Sequence, residues 1–428
     1  MKKLPILAVL SLWGALARAD VPVETRLQSF ETVWSRVNEY YFDPKFGGVD
    51  WSKLKDRYRV KVEEARNDAE YVGALNGLLQ ELGASHFGVI PSSAYGGSGA
   101  GTPTLADGEP GLRIGLVEGR PTVVGVEPGS PADKAGVKTG WILVAVDSRP
   151  VAPIVRAILQ DPAQRNLIPL KVSSALRAAL SGPVGKPVSA TFYDASYRTV
   201  HKTMERVQSA GHVVRFGELP PIRARLEVRR LPGDIGYIRF NIFMMPLLEP
   251  IKKAIDSFRG AKGIILDLRG NPGGVGAMAI PIAAKFLERP AQLGTMRMRT
   301  GQTRFAVNPQ PPLYRGPVAV LIDGTSASTS EILAAGLQEL GVARLVGERT
   351  AGAVLPSVIE RLPCGNRLQY AFADFRTPKG VLLEGRGAAP DVSVSLTRQA
   401  LLRDGDVALD RAVRLLLGNR QARPGVTP

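Results

Sequence analysis

A cluster of small hydroxyl residues follows the apolar, strand-like run at 318–323 and precedes a second apolar stretch at 332–337. Its serines are Ser326, Ser328 and Ser330. The pattern predicts a buried strand that turns sharply into a helix, with a serine at the positive end of the helix dipole. In that position the amide after the serine can point at a developing oxyanion, as acyl transfer requires. These residues therefore favour a serine hydrolase.

The same residues also fit a structural role. Ser328 and Glu331 have the spacing of a capping box, which satisfies backbone amides at the start of a helix. A second strand-like run, 263–268, leads into a glycine-rich loop at 270–274, whose amides can turn inward as an oxyanion nest. Two strand-loop-helix units of this kind in one region predict loops that face each other across a cleft.

Three motifs in order along the chain resemble the core of the carboxy-terminal processing peptidases, the tail-specific and tricorn-core-like serine proteases. The motifs lie at 266–274, 326–331 and 346–352. The resemblance implies an α/β core of the crotonase/ClpP-like peptidase type rather than a parallel Rossmann sheet, and peptide or protein substrates. It places the nucleophile on Ser328. With that role, the amides of Thr329 and Gly273 are expected to form the oxyanion hole.

The general base is where the chain departs from the tail-specific pattern. That branch uses a lysine whose position falls on Ala353, and a methyl group cannot accept a proton. The nearest lysine in sequence, Lys379, has no motif support. His86 follows an apolar helix that ends at Gly83, and its placement resembles the Ser-His pair of the tricorn-like branch. An unperturbed imidazole has a pKa near ~6.5, which predicts a neutral base; a surface histidine stabilised by a helix dipole is the alternative.

A histidine base needs an acidic partner that fixes its tautomer. The segment 381–391 resembles the region in which tricorn-like members place this acid, and the resemblance selects Glu384. Asp391 is the rival carboxylate, although its position after a proline suits a local turn. Ser85, the neighbour of His86, is expected to support the same relay.

The segment 104–206 resembles a PDZ domain with a helical insertion at 153–182. Its signature lies in three runs, 111–116, 126–137 and 140–147. A PDZ domain captures a peptide by adding it to a sheet edge while loop amides hold the terminal carboxylate. The resemblance therefore places peptide binding at Leu112, Ile114 and Gly115. A domain that acts only as a lid is the alternative.

Residues 1–19 have the pattern of a secretory signal. Two lysines and an apolar stretch precede Ala17-Arg18-Ala19, a small-x-small cleavage site. We predict cleavage after Ala19 and an exported product, periplasmic or extracellular. The apolar stretch is short for a membrane span, so an uncleaved anchor is the less favoured alternative. The single cysteine, Cys364, excludes an intrachain disulfide.

The chain is strongly basic, with 55 lysines and arginines against 39 acidic residues and a formal net charge of +16. This charge is dispersed, without the long basic runs or the motifs that are typical of nucleic-acid binding. We therefore expect no nucleic-acid partner. Attraction to an anionic cell-envelope surface or to acidic substrates is the expectation instead.

Together these features predict an exported serine endopeptidase with a Ser-His-Glu type mechanism and no required metal or cofactor. The expected organisation is a signal peptide at 1–19, a helical domain at 20–92 carrying the base, the PDZ-like domain at 104–206 and the α/β peptidase core at 220–420. Two alternatives stay open. One is a catalytically inactive PDZ-containing scaffold that binds peptides, and the other is an esterase that uses the same site.

Overall fold

The N-terminal region folds as three helices whose apolar faces meet. The computed structural model describes residues 21–92, 107–160, 164–219, 221–403 and 405–418, so the predicted signal segment lies outside the described residues. Helical spacing buries Phe30, Val33 and Val37 completely, which confirms the helix predicted there. The elements are α1 (Val23–Tyr40), α2 (Trp51–Glu63), α3 (Asp68–Gln80) and the short strand β1 (Gly88–Ile90).

The middle region is an antiparallel sheet with helices between its strands. Its elements are β2 (Asp107–Gly108), β3 (Leu112–Val117), β4 (Arg120–Val126), α4 (Pro131–Lys134), β5 (Ile142–Val146), β6 (Arg149–Pro150), α5 (Ala152–Gln160), α6 (Ile168–Leu180), β7 (Gly182–Pro183), β8 (Pro187–Tyr193) and β9 (Thr199–Glu205). The main sheet has the order β3-β4-β5-β8-β9, so β3 is an edge strand, and α6 packs against it. The helices α5 and α6 confirm the helical content predicted for 153–182.

The C-terminal region alternates strands and helices after a short hairpin, β10 (His212–Val214) and β11 (Ile222–Ala224). Its elements are β12 (Leu226–Leu231), β13 (Ile235–Phe240), α7 (Leu248–Ser257), β14 (Gly263–Asp267), α8 (Ala279–Ala283), β15 (Ala291–Met298), β16 (Gly301–Val307), β17 (Val318–Ile322), α9 (Thr329–Glu339), β18 (Ala343–Gly347), β19 (Ser357–Arg361), β20 (Arg367–Ala371), β21 (Ala373–Arg376), β22 (Val392–Ser393), α10 (Arg398–Arg403) and α11 (Val407–Gly418). Across the described parts of the chain, no helix has the length and hydrophobicity that a membrane crossing requires.

A six-stranded sheet forms the centre of this region, in the order β12-β13-β14-β17-β18-β22. The strands from β13 to β22 run parallel, and β12 is antiparallel to β13. Every residue of β14 and β17 is buried, as expected when helices cover both faces of a parallel sheet. The fold is therefore mixed α/β.

The apolar pattern at 276–287 predicts one long helix, and this prediction is wrong in its extent. The structure has a 3₁₀ turn at Gly276–Met278 and then the five-residue helix α8. Pro281 lacks an amide hydrogen, so it is tolerated in the first turn of a helix that begins at Ala279 but not in the interior of one that begins at Gly276.

The hairpin β19–β20 ties the N-terminal helices to the C-terminal region. Strand β1 pairs with β20, and Leu362, Leu368 and Tyr370 complete the hydrophobic core of the helices. Because β1 starts only two residues after His86, this pairing anchors the histidine to the region that carries Ser328.

Candidate active site

The turn after β17 holds Ser328 in a backbone conformation that residues other than glycine rarely adopt. Its φ is 55° and its ψ is −119°, and helix α9 begins at the next residue. Such conformations cost about 1–3 kcal/mol and concentrate at functional sites. A capping box joins Ser328 to Glu331, so the structural role considered for these residues is present as well.

The other two serines of the cluster are committed to the fold. The Ser326 hydroxyl donates to the Leu268 carbonyl at 2.8 Å, and the Ser330 hydroxyl donates to the Asn271 carbonyl at 2.9 Å. Both serines are fully buried, whereas Ser328 is partly exposed. Ser328 is therefore the serine of the cluster that a substrate can reach.

The glycine-rich loop lies against the serine turn, because β14 and β17 are adjacent parallel strands and both loops leave the same edge of the sheet. This confirms that the two strand-loop units face each other. Gly273 has a φ of 100°, and a Cβ added there would lie 2.6 Å from Ser328 Cβ and 2.9 Å from the Thr329 amide nitrogen. Only glycine fits this position.

The two amides predicted to form an oxyanion hole differ in their hydrogen bonding. Among the described residues, the Thr329 amide makes no hydrogen bond. The Gly273 amide donates to Asn271 Oδ1 at 3.0 Å. The Thr329 amide is thus available to a ligand, whereas Gly273 can serve an oxyanion only by exchanging its present bond.

The close approach at Gly273 predicts a large effect of a single methyl group. Gly273→Ala is expected to collide with Ser328, so it should lower the free energy of unfolding by about 1–3 kcal/mol beyond the cost of left-handed strain. Gly365→Ala is the matched control, because its φ is 87° and no atom lies within 4 Å of the added Cβ. Thermal denaturation of both variants measures the difference. Equal losses of stability would contradict the close approach.

His86 belongs to a hydrogen-bonded chain with Ser85 and Glu384. Ser85 Oγ lies 2.7 Å from His86 Nδ1 and 3.0 Å from Glu384 Oε2. The Ser85 amide also donates to Glu384 Oε1 at 2.8 Å. Burial raises the pKa of Glu384, and the hydrogen bonds from Val354 and Ser85 oppose this rise. Glu384 therefore reaches the histidine through Ser85.

This relay determines which ring nitrogen of His86 carries the proton. A carboxylate can only accept, so the one hydrogen of the Ser85 hydroxyl goes to Glu384. The Ser85 oxygen then accepts from Nδ1–H of His86, which leaves Nε2 free to take a proton. Burial lowers the pKa of His86 to about 4, well below the value expected from sequence. The imidazole is therefore neutral at physiological pH.

Residues 353–354 join the serine turn to the relay. Ala353, at the lysine position of the tail-specific branch, is buried, and its carbonyl accepts from the Ser328 amide at 2.8 Å. The Val354 amide donates to Glu384 Oε2 at 2.9 Å. In the described structure no hydrogen bond joins Ser328 directly to His86, so the two halves of the site meet through this segment.

Glu331 has a larger role in the site than its spacing indicated. Its fully buried carboxylate accepts hydrogen bonds from the Thr350 hydroxyl and from the amides of Gly352 and Ala353, in addition to the Ser328 amide. The capping-box spacing of Ser328 and Glu331 was the only local sequence signal for this role. The further partners lie 19 to 22 residues along the chain and have no sequence signature.

The rival candidates have other surroundings. Lys379 is exposed, and the Asp391 carboxylate accepts from the Leu345 amide at 2.7 Å. The other two histidines of the chain, His201 and His212, are exposed on β9 and β10 and were not candidates from the sequence. Within the described part of the chain, none of them shares a hydrogen bond or ion pair with Glu384, Ser85 or His86.

The residues predicted to bind a peptide lie on the edge strand β3. The side chains of Leu112 and Ile114 are buried in the hydrophobic core of the middle region. At Gly115, an added Cβ would come within 3.0 Å of Val124. The main chain of β3 is therefore what this edge can offer to a peptide.

A second part of the middle region lies over the site, which the sequence did not indicate. The Gln164 side chain donates to the Ala84 carbonyl, and the Asn166 amide group donates to carbonyls of the 351–352 segment at 2.7 and 3.2 Å. Leu167 packs against small residues around Ser328, namely Ala327, Ala351 and Ala353. The helical pattern of 153–182 carried no signal for these contacts.

Two family models match the chain. The model for Peptidase family S41 matches residues 234–394, and that for the Tricorn protease C1 domain matches residues 22–80. The first range contains Ser328, the glycine-rich loop and Glu384. The second covers the helices that precede His86.

Relatives and solved structures agree with these matches. A carboxyl-terminal-processing protease of Synechocystis sp. is 28% identical over 393 residues, which cover 90% of this chain and 85% of that protein. The photosystem II D1 C-terminal processing protease matches in fold with a TM-score of 0.59 at 22% identity, over 91% of this chain and 99% of that one. Mature CPAF has a TM-score of 0.64 at 15% identity, over 94% and 99% of the two chains. Residues 234–394 of this chain are thus similar to peptidase family S41, and the chain is a serine-type peptidase.

Proposed function

We propose that this protein is an exported serine endopeptidase in which Ser328 is the nucleophile and His86 is the general base. The observation that supports this most strongly is the chain from Glu384 through Ser85 to His86, tied to the serine turn by residues 353–354. It combines a neutral imidazole, a free Nε2 and an accessible serine at the start of a helix.

In the first step, Ser328 Oγ attacks the scissile carbonyl carbon while its proton passes to Nε2 of His86. Ser85 and Glu384 stabilise the imidazolium that forms. The Thr329 amide and the Gly273 loop face the negative charge on the carbonyl oxygen. When the intermediate collapses, the C–N bond breaks and His86 gives its proton to the leaving amine. Water then attacks the acyl-enzyme ester by the same route, which releases a carboxylic acid and restores Ser328.

The proposed organisation is a helical domain at 20–92, a PDZ-type domain at 104–206 and a crotonase/ClpP-like core at 220–420. Three distinct hydrophobic clusters support this division, although the cluster of the helical region also includes Leu362, Leu368 and Tyr370. The edge strand β3, with α6 beside it, supports peptide capture by main-chain pairing. Export rests on the signal pattern of residues 1–19.

The names of the relatives suggest how substrates are presented. Several are called carboxyl-terminal-processing proteases. A PDZ-type domain that holds a terminal carboxylate would bring the C-terminal part of a peptide to Ser328. We therefore propose peptides or proteins that are cut near their C-termini as the substrate class.

Two other functions use the same features differently. A non-catalytic peptide-binding scaffold is favoured by Ala353 at the lysine position, and an esterase would use the same nucleophile. A fluorophosphonate probe followed by mass spectrometry tests for an active serine, and we expect the label on Ser328. A library of peptides with free and amidated C-termini then tests for peptidase activity. A parent protein that takes no label would support the scaffold, and ester hydrolysis without peptide cleavage would support the esterase.

The relay predicts a strong effect at Glu384. Glu384→Gln should lower kcat by roughly 10²–10⁴-fold. Both carboxylate oxygens accept hydrogen bonds, from the Ser85 amide on one side and from the Ser85 hydroxyl and the Val354 amide on the other. An amide has only one acceptor oxygen, so its NH₂ must face a donor, and the His86 tautomer is no longer held. Asp391→Asn is the matched control in the same segment, since that carboxylate accepts only from Leu345 among the described residues. Peptide hydrolysis by both variants measures the difference. Equal rates of peptide hydrolysis in the two variants would contradict the role of Glu384 in the relay.

A further inference from the structure

The mechanism above leaves one buried carboxylate at the site without a role. Glu331 lies in the first turn of α9, and each of its oxygens accepts two hydrogen bonds. Oε1 accepts from the Thr350 hydroxyl at 2.5 Å and the Gly352 amide at 2.8 Å. Oε2 accepts from the amides of Ser328 and Ala353, both at 3.0 Å. A helix cap needs only the bond to Ser328, so the other three bonds need a separate explanation.

These bonds connect the two halves of the site. The same Ala353 whose amide binds Glu331 accepts the Ser328 amide through its carbonyl, and the next amide donates to Glu384. The Thr350 hydroxyl, in turn, accepts from the Ala388 amide at 2.6 Å. Glu331 therefore fastens the serine turn to the segment that leads to the relay.

The charge state of Glu331 decides whether this arrangement can exist. Four donors point at two oxygens, so a proton added to the carboxyl group must displace one of them. Burial raises the pKa of Glu331 to about 7, and the hydrogen bonds from Thr350, Gly352, Ala353 and Ser328 oppose the rise. The arrangement is therefore complete above neutral pH and loses a bond as the pH falls through about 7.

Other titratable groups on the neighbouring elements have their own partners. On the loop that carries Thr350, Glu348 accepts from the Leu396 amide and Arg349 donates to carbonyls at 386–387. On the opposite segment, Glu384 accepts from Ser85 and Val354, and His86 binds Ser85. Among the described residues, none of these side chains shares a hydrogen bond with Glu331.

We propose that Glu331 is a positioning residue for hydrolysis, whose ionised carboxylate holds the Ser328 turn and residues 350–354 together and so couples the nucleophile to the Glu384–Ser85–His86 relay. This inference rests on the proposed function, because it takes Ser328 as the nucleophile. Glu331 does not touch the substrate, and its effect passes through backbone groups.

The test is the rate of Ser328 labelling by a fluorophosphonate between pH 4 and pH 9 in the full chain. In the parent, labelling should rise with pH through about 7, because Glu331 ionises there, whereas the pKa of His86 lies near 4. Glu331→Gln should lower the labelling rate at high pH by about 100-fold, since misplacement of reacting groups by about 1 Å has an effect of that size. It should also abolish the rise of the labelling rate near pH 7, because the glutamine side chain does not titrate. In this variant, the remaining decrease of the labelling rate with falling pH should lie near pH 4, where His86 takes up a proton.

A second pair of variants keeps the test decisive if Glu331→Gln does not fold. Thr350→Val removes one donor to the ionised Glu331 carboxylate, which raises the pKa of Glu331. The acid limb of the labelling profile, where the rate falls with falling pH, should therefore move to higher pH. Thr350→Ser keeps the hydroxyl, so its limb should match that of the parent. Thr350 has no bond to Glu384 or His86, so a shift in this pair identifies Glu331 and not the relay as the titrating group.

The outcomes separate this inference from the function on which it rests. A limb that moves in Thr350→Val and stays in Thr350→Ser supports Glu331 as the positioning residue. Labelling of Ser328 with the same limb in both Thr350 variants overturns the inference and leaves the nucleophile in place. A parent that takes no label at Ser328 at any pH overturns the proposed function, and the inference with it.

Discussion

Replacement of Ser328 by alanine is expected to abolish hydrolysis while the protein stays folded. Loss of a nucleophile of this kind lowers turnover by ~10⁶-fold, because the remaining groups cannot form the acyl-enzyme. The loss of an N-cap costs only about 1 kcal/mol, so the free energy of unfolding should change little. Peptide hydrolysis and fluorophosphonate labelling measure the loss of activity, and thermal denaturation measures the change in stability.

Ser330→Ala is the matched control for this prediction. Ser330 lies two residues away on the same turn, is fully buried, and donates to the Asn271 carbonyl at 2.9 Å. Its replacement should cost about 1 kcal/mol of stability and leave Ser328 labelled. If Ser328→Ala is destabilised but still turns over near the parent rate, Ser328 is only a cap. Ser326 and Ser330 would then be the next nucleophiles to test.

Replacement of His86 by alanine has the second large expected effect. Removal of the general base should lower turnover by a similar ~10⁶-fold, because the nucleophile and the base act as a unit. Burial lowers the pKa of His86 to about 4, so the base is neutral above that pH and should not limit activity between pH 5 and pH 9. Steady-state rates over this range measure the loss, and labelling of Ser328 should fall with them.

His201→Ala and Lys379→Ala are the controls for the base. His201 is exposed and contacts Thr191, and Lys379 is an exposed lysine with no side-chain contact to the site. Both variants should keep the parent rate. Activity that survives His86→Ala, or an acid limb near 9 as a lysine base would give, rules out the proposed mechanism. A loss of activity confined to Lys379→Ala would support a Ser-Lys dyad with Lys379 as the base.

The main elements of the core were predictable because their signals are local. The apolar runs at β14 and β17 are continuous, as strands buried on both faces require, and the hydroxyl cluster after β17 indicates a turn into a helix. The helix over 276–287 was mispredicted because its apolar pattern continues across Pro281, whereas the backbone hydrogen bonds do not.

The Glu384–Ser85–His86 relay shows why the arrangement of site residues is harder to predict than their identity. Resemblance to known peptidases selected His86 and Glu384, and Ser85 was predicted as the neighbour of His86, but the sequence could not say that the Ser85 hydroxyl lies between the other two. Ser85 and Glu384 are 299 residues apart, and their hydrogen bonds depend on the pairing of β1 with β20. Such a contact leaves no periodicity in the chain.

By itself, the sequence determined the strand-turn-helix unit of Ser328, the glycine loop that faces it, and the absence of a lysine at position 353. These are local properties, set by backbone conformation, hydrogen-bonding groups and side-chain chemistry within a few residues. The tertiary structure alone decided the pKa of His86, the four partners of Glu331 and the position of Gln164 and Asn166 over the site. Desolvation and long-range hydrogen bonds create these properties, and both exist only once segments far apart in the chain are packed together.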